Sequence, residues 1–206
     1  SCNSSGAGGL SMKYNRTFQA LAIPIVNVYD HLKYNYHVIG REKVPDGGCV
    51  LVANHTQWAD PVLVGTALGN QYPLVALAKK ELFQIKLLGP LISALGAFPV
   101  DRGTADIGAI KTSLKAVKEG KKLLIFPEGG TKHKAGDEAK VGAAMIAART
   151  GAPIVPIYIS ENKKFRSKVY VVFGDAYIPE KTKSKDGYRA IADDMMRRIY
   201  ALKEKI

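Results

Sequence analysis

Cys49-Val50-Leu51-Val52-Ala53-Asn54-His55-Thr56-Gln57-Trp58-Ala59-Asp60 is a five-residue apolar run that passes directly into polar chemistry. A short run of β-branched and aliphatic residues with no polar alternation reads as a strand buried on both faces, the kind found inside parallel sheets. Leu123-Leu124-Ile125-Phe126-Pro127-Glu128-Gly129 repeats the pattern, an apolar run ending in an acid and a glycine. Further strands are expected at 36–39, 74–77, 97–100, 154–159 and 169–173. Segments of helical period lie between them. One helix is expected over about 106–119, with Ile107, Ile110, Leu114 and Val117 on one face, Thr104 as N-cap and Gly120 past its end. Another is expected over about 139–150, burying Val141, Ala144, Met145 and Ala148. A last one starts at about 186 and buries Tyr188, Ile191, Met195, Ile199 and Leu202. Strands alternating with helices predict an α/β domain with a largely parallel central sheet flanked by helices. In such sheets ligands gather beyond the carboxyl ends of the strands, where Asn54 and Pro127 fall.

The chain has 206 residues, 47% of them hydrophobic, enough for one domain with a sizeable core. Residues 1–11 are expected to be a flexible tail or expression remnant, 12–35 an N-terminal interfacial helical segment with an amphipathic pattern, and 36–206 a single α/β domain. A net charge of +12 is spread along the chain and favours anionic partners. Nucleic acid is disfavoured, because the aromatics fall on strand and apolar helix positions rather than interleaving with Arg and Lys on one face. Cys2 and Cys49 make no disulfide framework, and Cys49 sits in an apolar run. The four histidines, at 31, 37, 55 and 133, show no metal-ligand spacing, so no metal is expected. No segment has the roughly 18–20 apolar residues that span a bilayer. The runs 18–29 and 87–100 come partway, interrupted by Pro24 and by Gly89-Pro90, Gly96 and Pro99.

A histidine accepts a proton from a hydroxyl when a carboxylate holds its ring in the right tautomer. In a strand-to-helix turn His55 and Asp60 can meet in this way, with Asp60 in the first helical turn. By spacing alone the motif is a weak signal, and a hydrogen-bonded pair packing a turn is the commoner reading. Serine-hydrolase, zinc-protease, P-loop and dinucleotide motifs are all missing from the sequence. The basic stretch Lys163-Lys164-Phe165-Arg166-Ser167-Lys168 reads as a solvated loop between two strands.

Four motifs stand in order over roughly residues 50–160: Asn54-His55-x4-Asp60, then Gly96-Ala97-Phe98-Pro99-Val100-Asp101-Arg102-Gly103, then Phe126-Pro127-Glu128-Gly129, and Ala152-Pro153-Ile154-Val155-Pro156-Ile157. Ala78-Lys79-Lys80-Glu81-Leu82-Phe83 lies between the first two. Together they resemble the bacterial, membrane-associated 1-acylglycerol-3-phosphate acyltransferases (lysophosphatidic acid acyltransferases). The resemblance implies a glycerol-3-phosphate acyltransferase-like fold and transfer of an acyl chain from acyl-CoA or acyl carrier protein to the sn-2 hydroxyl of lysophosphatidate. The product is phosphatidate, and glycerol 3-phosphate or another lysophospholipid is the alternative acceptor. It implies His55 as general base oriented by Asp60, and Arg102 and Lys79 on the acceptor phosphate. Glu128, Gly129, Thr131 and Lys132 complete the implied substrate-binding set. No cofactor is implied beyond the acyl donor. The family's Glu-Gly-Thr-Arg stands here as Glu128-Gly129-Gly130-Thr131-Lys132, either with an inserted glycine and lysine for arginine or with Gly130 for threonine. The helix carrying Phe18, Leu21, Ile25, Val28 and Tyr29 is expected to lie on an anionic membrane surface, at the cytoplasmic face of the cell membrane and without spanning it. The run 87–100 is expected either to be plain core or to line an acyl-chain groove, with Ser93 and Ala94 setting chain length in the second case.

Overall fold

A computed structural model describes residues 14–101, 106–128 and 137–206, with the side chains of 137–140 excepted. Helix α1 (Arg16–Lys33) is followed by β1 (Asn35–Ile39), β2 (Cys49–Ala53), α2 (Asp60–Leu68) and β3 (Leu74–Lys79). Then come α3 (Leu88–Ala94), β4 (Ala97–Val100), α4 (Ile107–Lys118), β5 (Lys122–Ile125) and α5 (Asp137–Thr150). The chain closes with β6 (Ile154–Ile159), β7 (Lys168–Phe173) and α6 (Lys185–Ala201). The strands form one sheet in the order β1-β7-β6-β2-β5-β3-β4. Strands β6, β2, β5, β3 and β4 are mutually parallel. Strands β1 and β7 pair parallel with each other but run against the rest, since β7 meets β6 antiparallel. The expected largely parallel sheet therefore carries a reversed two-strand edge.

Strand β2 lies between β5 and β6, so Cys49 through Ala53 are all buried. Val50 and Val52 face one layer, packing with Leu123, Ile125, Ala116 of α4, Ala144 of α5 and Met195 of α6. Cys49, Leu51 and Ala53 face the other, with Leu63, Val64 and Ala67 of α2. A strand hydrophobic on both faces is what a two-sided helical cover requires. Burial pushes the Cys49 thiol up to about 11, which leaves it a packing residue rather than a nucleophile. Helix α4 is capped by Asp106, whose side chain accepts from Ala109 N–H, rather than by Thr104, which lies outside the described residues. Gly96 enters β4 at φ +98°, and a Cβ there would sit 2.5 Å from the Leu74 carbonyl oxygen, so this motif glycine serves the backbone.

Helix α1 buries two polar residues, Gln19 and Asp30, along with Ile23, while Leu21, Ile25, Val28, Tyr29 and Leu32 are exposed. Gln19 Nε2 donates to the carbonyls of Leu74 (2.9 Å) and Leu95 (2.8 Å), and Asp30 Oδ2 accepts from Thr66 Oγ1 at 2.8 Å. Polar anchoring on the inner face leaves the apolar face bare. No described helix is long and apolar enough to cross a membrane.

Candidate active site

The carboxyl ends of the five parallel strands share one edge of the sheet. There β2 delivers Asn54 and His55, β5 delivers Phe126 and Glu128, β6 runs toward Lys163, and β3 ends at Lys79. Asn54 locks the edge: its Nδ2 donates to the Ile159 carbonyl at 2.9 Å, and its Oδ1 accepts from Ile159 N–H at 2.7 Å. This buried amide does for β2 and β6 what one more pair of ladder bonds would do, and so fixes where the next residue points.

That residue is His55. Its backbone N–H donates to Glu128 Oε2 at 3.1 Å, and its ring stacks on Phe126 with centroids 4.2 Å apart. Nδ1 lies 3.0 Å from Asp60 Oδ2. The same oxygen accepts the N–H groups of Thr56 at 2.7 Å and Gln57 at 2.8 Å, so Asp60 closes the turn that carries the histidine and starts α2. Asp60 is wholly buried. Burial alone would raise its carboxyl, but hydrogen bonds from His55, the Gln57 N–H and Lys163 outweigh it and hold the group below its ordinary value. An ionised carboxylate only accepts, so Nδ1 carries the hydrogen of this bond, and Nε2 is the ring nitrogen not used by Asp60. Among the described residues nothing hydrogen-bonds Nε2. The spacing from 55 to 60 thus becomes an imidazole oriented by a buried carboxylate.

Glu128 is buried with both oxygens engaged, one by His55 N–H and the other by Tyr200 OH at 2.6 Å. It braces the histidine from β5 and ties α6 to the site. Lys79 is exposed at the end of β3, in register with Val100 of β4, two residues before Arg102. Arg102, Gly129, Thr131 and Lys132 lie outside the described residues, as does His133. Among the described residues there is no cluster of His, Cys, Asp or Glu able to hold a metal.

Two members of the constellation were not anticipated. Tyr200 is 72 positions from Glu128. The other corrects the solvated-loop expectation: Lys163 is buried, with Nζ 2.9 Å from Asp60 Oδ1 and donating to Thr56 Oγ1 at 2.6 Å. Its neighbours Lys164, Phe165 and Arg166 are exposed as expected. Its available signal was position: the residues after β6 end beside those after β2.

An apolar pocket lies between α1, α2, α3 and the sheet, lined among others by Ile23, Val26, Val62, Gly65 and Ala76. From the run 87–100 it takes Ile92, Leu95 and Ala97. Ser93 and Ala94, expected there, are not among the lining residues.

The acyltransferase family model matches residues 35–160. A 1-acyl-sn-glycerol-3-phosphate acyltransferase of Bacillus subtilis is 32% identical over 188 residues, covering 85% of this chain and 92% of that one. The protein of that name from Streptococcus pneumoniae is 35% identical over 125 residues, and the match spans 60% of this chain but 46% of the longer relative. A lyso-ornithine lipid O-acyltransferase of Pseudomonas aeruginosa is 34% identical over 111 residues, 53% of this chain and 42% of that one. In fold, the crystal structure of the 1-acyl-sn-glycerophosphate acyltransferase PlsC from Thermotoga maritima superposes with a TM-score of 0.67 at 21% identity, covering 92% of this chain and 78% of that one. The chain belongs to the 1-acyl-sn-glycerol-3-phosphate acyltransferase family and is an acyltransferase.

Proposed function

We propose that the chain transfers an acyl group from an acyl thioester to the sn-2 hydroxyl of a 1-acylglycerol 3-phosphate at a membrane surface, giving phosphatidate. The observation that carries the reading is the His55–Asp60 pair, 3.0 Å apart at the sheet edge, with no hydrogen bond to Nε2 among the described residues. Nε2 takes the hydroxyl proton as the oxygen attacks the thioester carbonyl. The tetrahedral intermediate collapses with loss of the thiolate, which recovers the proton from the imidazolium. The acyl group never resides on the protein. Asp60 holds the tautomer and stabilises the imidazolium as it forms.

Lys79, at the end of β3, and Arg102, two positions after the last residue of β4 in the sequence, take the acceptor phosphate, the guanidinium fork suiting two of its oxygens. The pocket under α1 receives an acyl chain. The exposed apolar face of α1 and the net charge of +12 favour an anionic lipid surface, with the cytoplasmic leaflet as the site of action. Acyl-CoA and acyl carrier protein are both acidic, and the same charge serves either donor.

The test is product identification by mass spectrometry, with lysophosphatidate, glycerol 3-phosphate and a lyso-ornithine lipid offered side by side. The last is included because of the Pseudomonas relative. Phosphatidate as the dominant product supports the assignment. Acylation of another acceptor in preference, or hydrolysis of the thioester without transfer, overturns it.

A further inference from the structure

A lysine side chain is almost never fully buried unless a counter-charge holds it there. Lys163 is such a side chain, at 0% exposure, and the counter-charge is the carboxylate that orients the histidine. It arrives from outside the His-x4-Asp motif, on the connection after β6. That connection is fixed at its far end, where Arg166 N–H donates to the Lys33 carbonyl of α1 at 2.8 Å and Ser167 N–H to the Lys164 carbonyl at 3.0 Å. Asn54 fixes its near end at Ile159. A side chain so held is a built part of the site.

We propose that Lys163 is a positioning residue for acyl transfer. By holding Asp60 Oδ1 it turns Oδ2 toward His55 Nδ1, and its charge offsets the carboxylate so that the imidazole enters each turnover neutral. The inference rests on the assignment of His55 as base. The physical need is specific. A lone buried carboxylate beside a histidine favours the imidazolium, which is useless as a proton acceptor. A cation on the carboxylate's far oxygen weakens that preference without touching the ring. Among the described residues, the charged and titratable groups facing the pair are Lys163 from the β6–β7 connection, Glu128 from the end of β5 and, through Glu128, Tyr200 from α6, with Thr56 and Phe126 uncharged beside them.

The experiment is a steady-state comparison of wild type, Lys163→Met, Asp60→Asn and the double variant across pH. Lys163→Met is expected to lower kcat by about 10–100-fold, the usual weight of an orienting outer partner. KM for donor and acceptor should hold, and the acid limb of the kcat/KM profile should move to higher pH. On the Asp60→Asn background the same change should have little further effect, because Lys163 acts through Asp60. A kcat within about twofold of wild type overturns the inference, and so does a loss that adds in full to Asp60→Asn or an unmoved acid limb. If Lys163→Met does not fold, Lys163→Gln, which keeps a donor and drops the charge, is read by the same criteria. Nitrogen NMR of the His55 ring separates this inference from the functional assignment. Wild type should show the Nδ1-protonated tautomer and the variant a mixture, whether or not the chosen acceptor is turned over. An unchanged tautomer in the variant refutes the positioning role on its own.

Discussion

The bare face of α1 makes a quantitative prediction about membrane binding. Leu21, Ile25 and Leu32 are 66%, 72% and 73% exposed. Burying a side chain of this kind is worth about 1.5–3 kcal/mol, so the roughly seven-tenths still facing water holds about 1–2 kcal/mol per residue for a lipid interface. Replacing all three by serine should therefore remove about 3–6 kcal/mol of partition free energy, or about 10²–10⁴ in the vesicle partition coefficient. The assay is sedimentation with phosphatidylglycerol–phosphatidylcholine vesicles over a range of ionic strength, beside a thermal unfolding scan of each variant. Substitution is preferable to removing the helix, because truncation would also take away Gln19 and expose the carbonyls of Leu74 and Leu95. The triple variant should keep its melting temperature and lose vesicle binding at every salt concentration. Partition within about threefold of wild type, with the fold intact, would mean that α1 faces something other than lipid.

Three further outcomes are expected. Asp60→Asn leaves Lys163 buried without its counter-ion, which should lower stability by about 3–5 kcal/mol near neutral pH by denaturant unfolding. Because the folded carboxyl lies below its ordinary value, its contribution is present above about pH 4 and is lost as pH falls through the folded value. The gap between the two proteins should then close in acid, and a gap constant with pH would refute this assignment. Gly65 sits inside α2 and lines the pocket, and an added Cβ meets only Leu74 Cδ2, at 3.5 Å. Gly65→Ala should raise stability by about 1 kcal/mol from helix propensity and shorten the longest acyl chain used, measured by chain-length competition. An unchanged chain profile would take the acyl chain out of this pocket. Tyr200→Phe deprives buried Glu128 of a partner, costing about 1–3 kcal/mol in melting experiments, and should lower kcat by loosening the brace on His55. An unaltered kcat would confine α6 to a structural part.

Several strands were legible because of how parallel sheets bury their centres. Residues 49–53 and 154–159 are strands to the residue, since a strand covered on both faces shows as an unbroken apolar run; 97–100 is also a strand to the residue, but at the sheet edge and half-buried. The reversed direction of β1 and β7 left no such trace, because strand polarity is set by connections rather than by side-chain pattern. The His55–Asp60 pair was legible for a local reason: both residues belong to one turn, and Asp60 closes it through the N–H groups of Thr56 and Gln57. Lys163 was not, because a lysine in a basic run looks solvated until the neighbouring strand end is known. Tyr200 is a further case of contact across a long sequence separation. On α1 the apolar residues were visible, but nothing in their spacing told whether that stripe or Gln19 and Asp30 faced inward. The structure turns the polar residues in, with carbonyls of β3 and α3 and the Thr66 hydroxyl as their partners.

The proposed base for the acceptor hydroxyl is His55. Thiol release from an acyl thioester, with and without lysophosphatidate, in wild type and His55→Ala tests it most directly. Wild type should show acceptor-dependent release that falls by about 10²–10⁴-fold in the folded variant. Acceptor-dependent release that survives the substitution would contradict it.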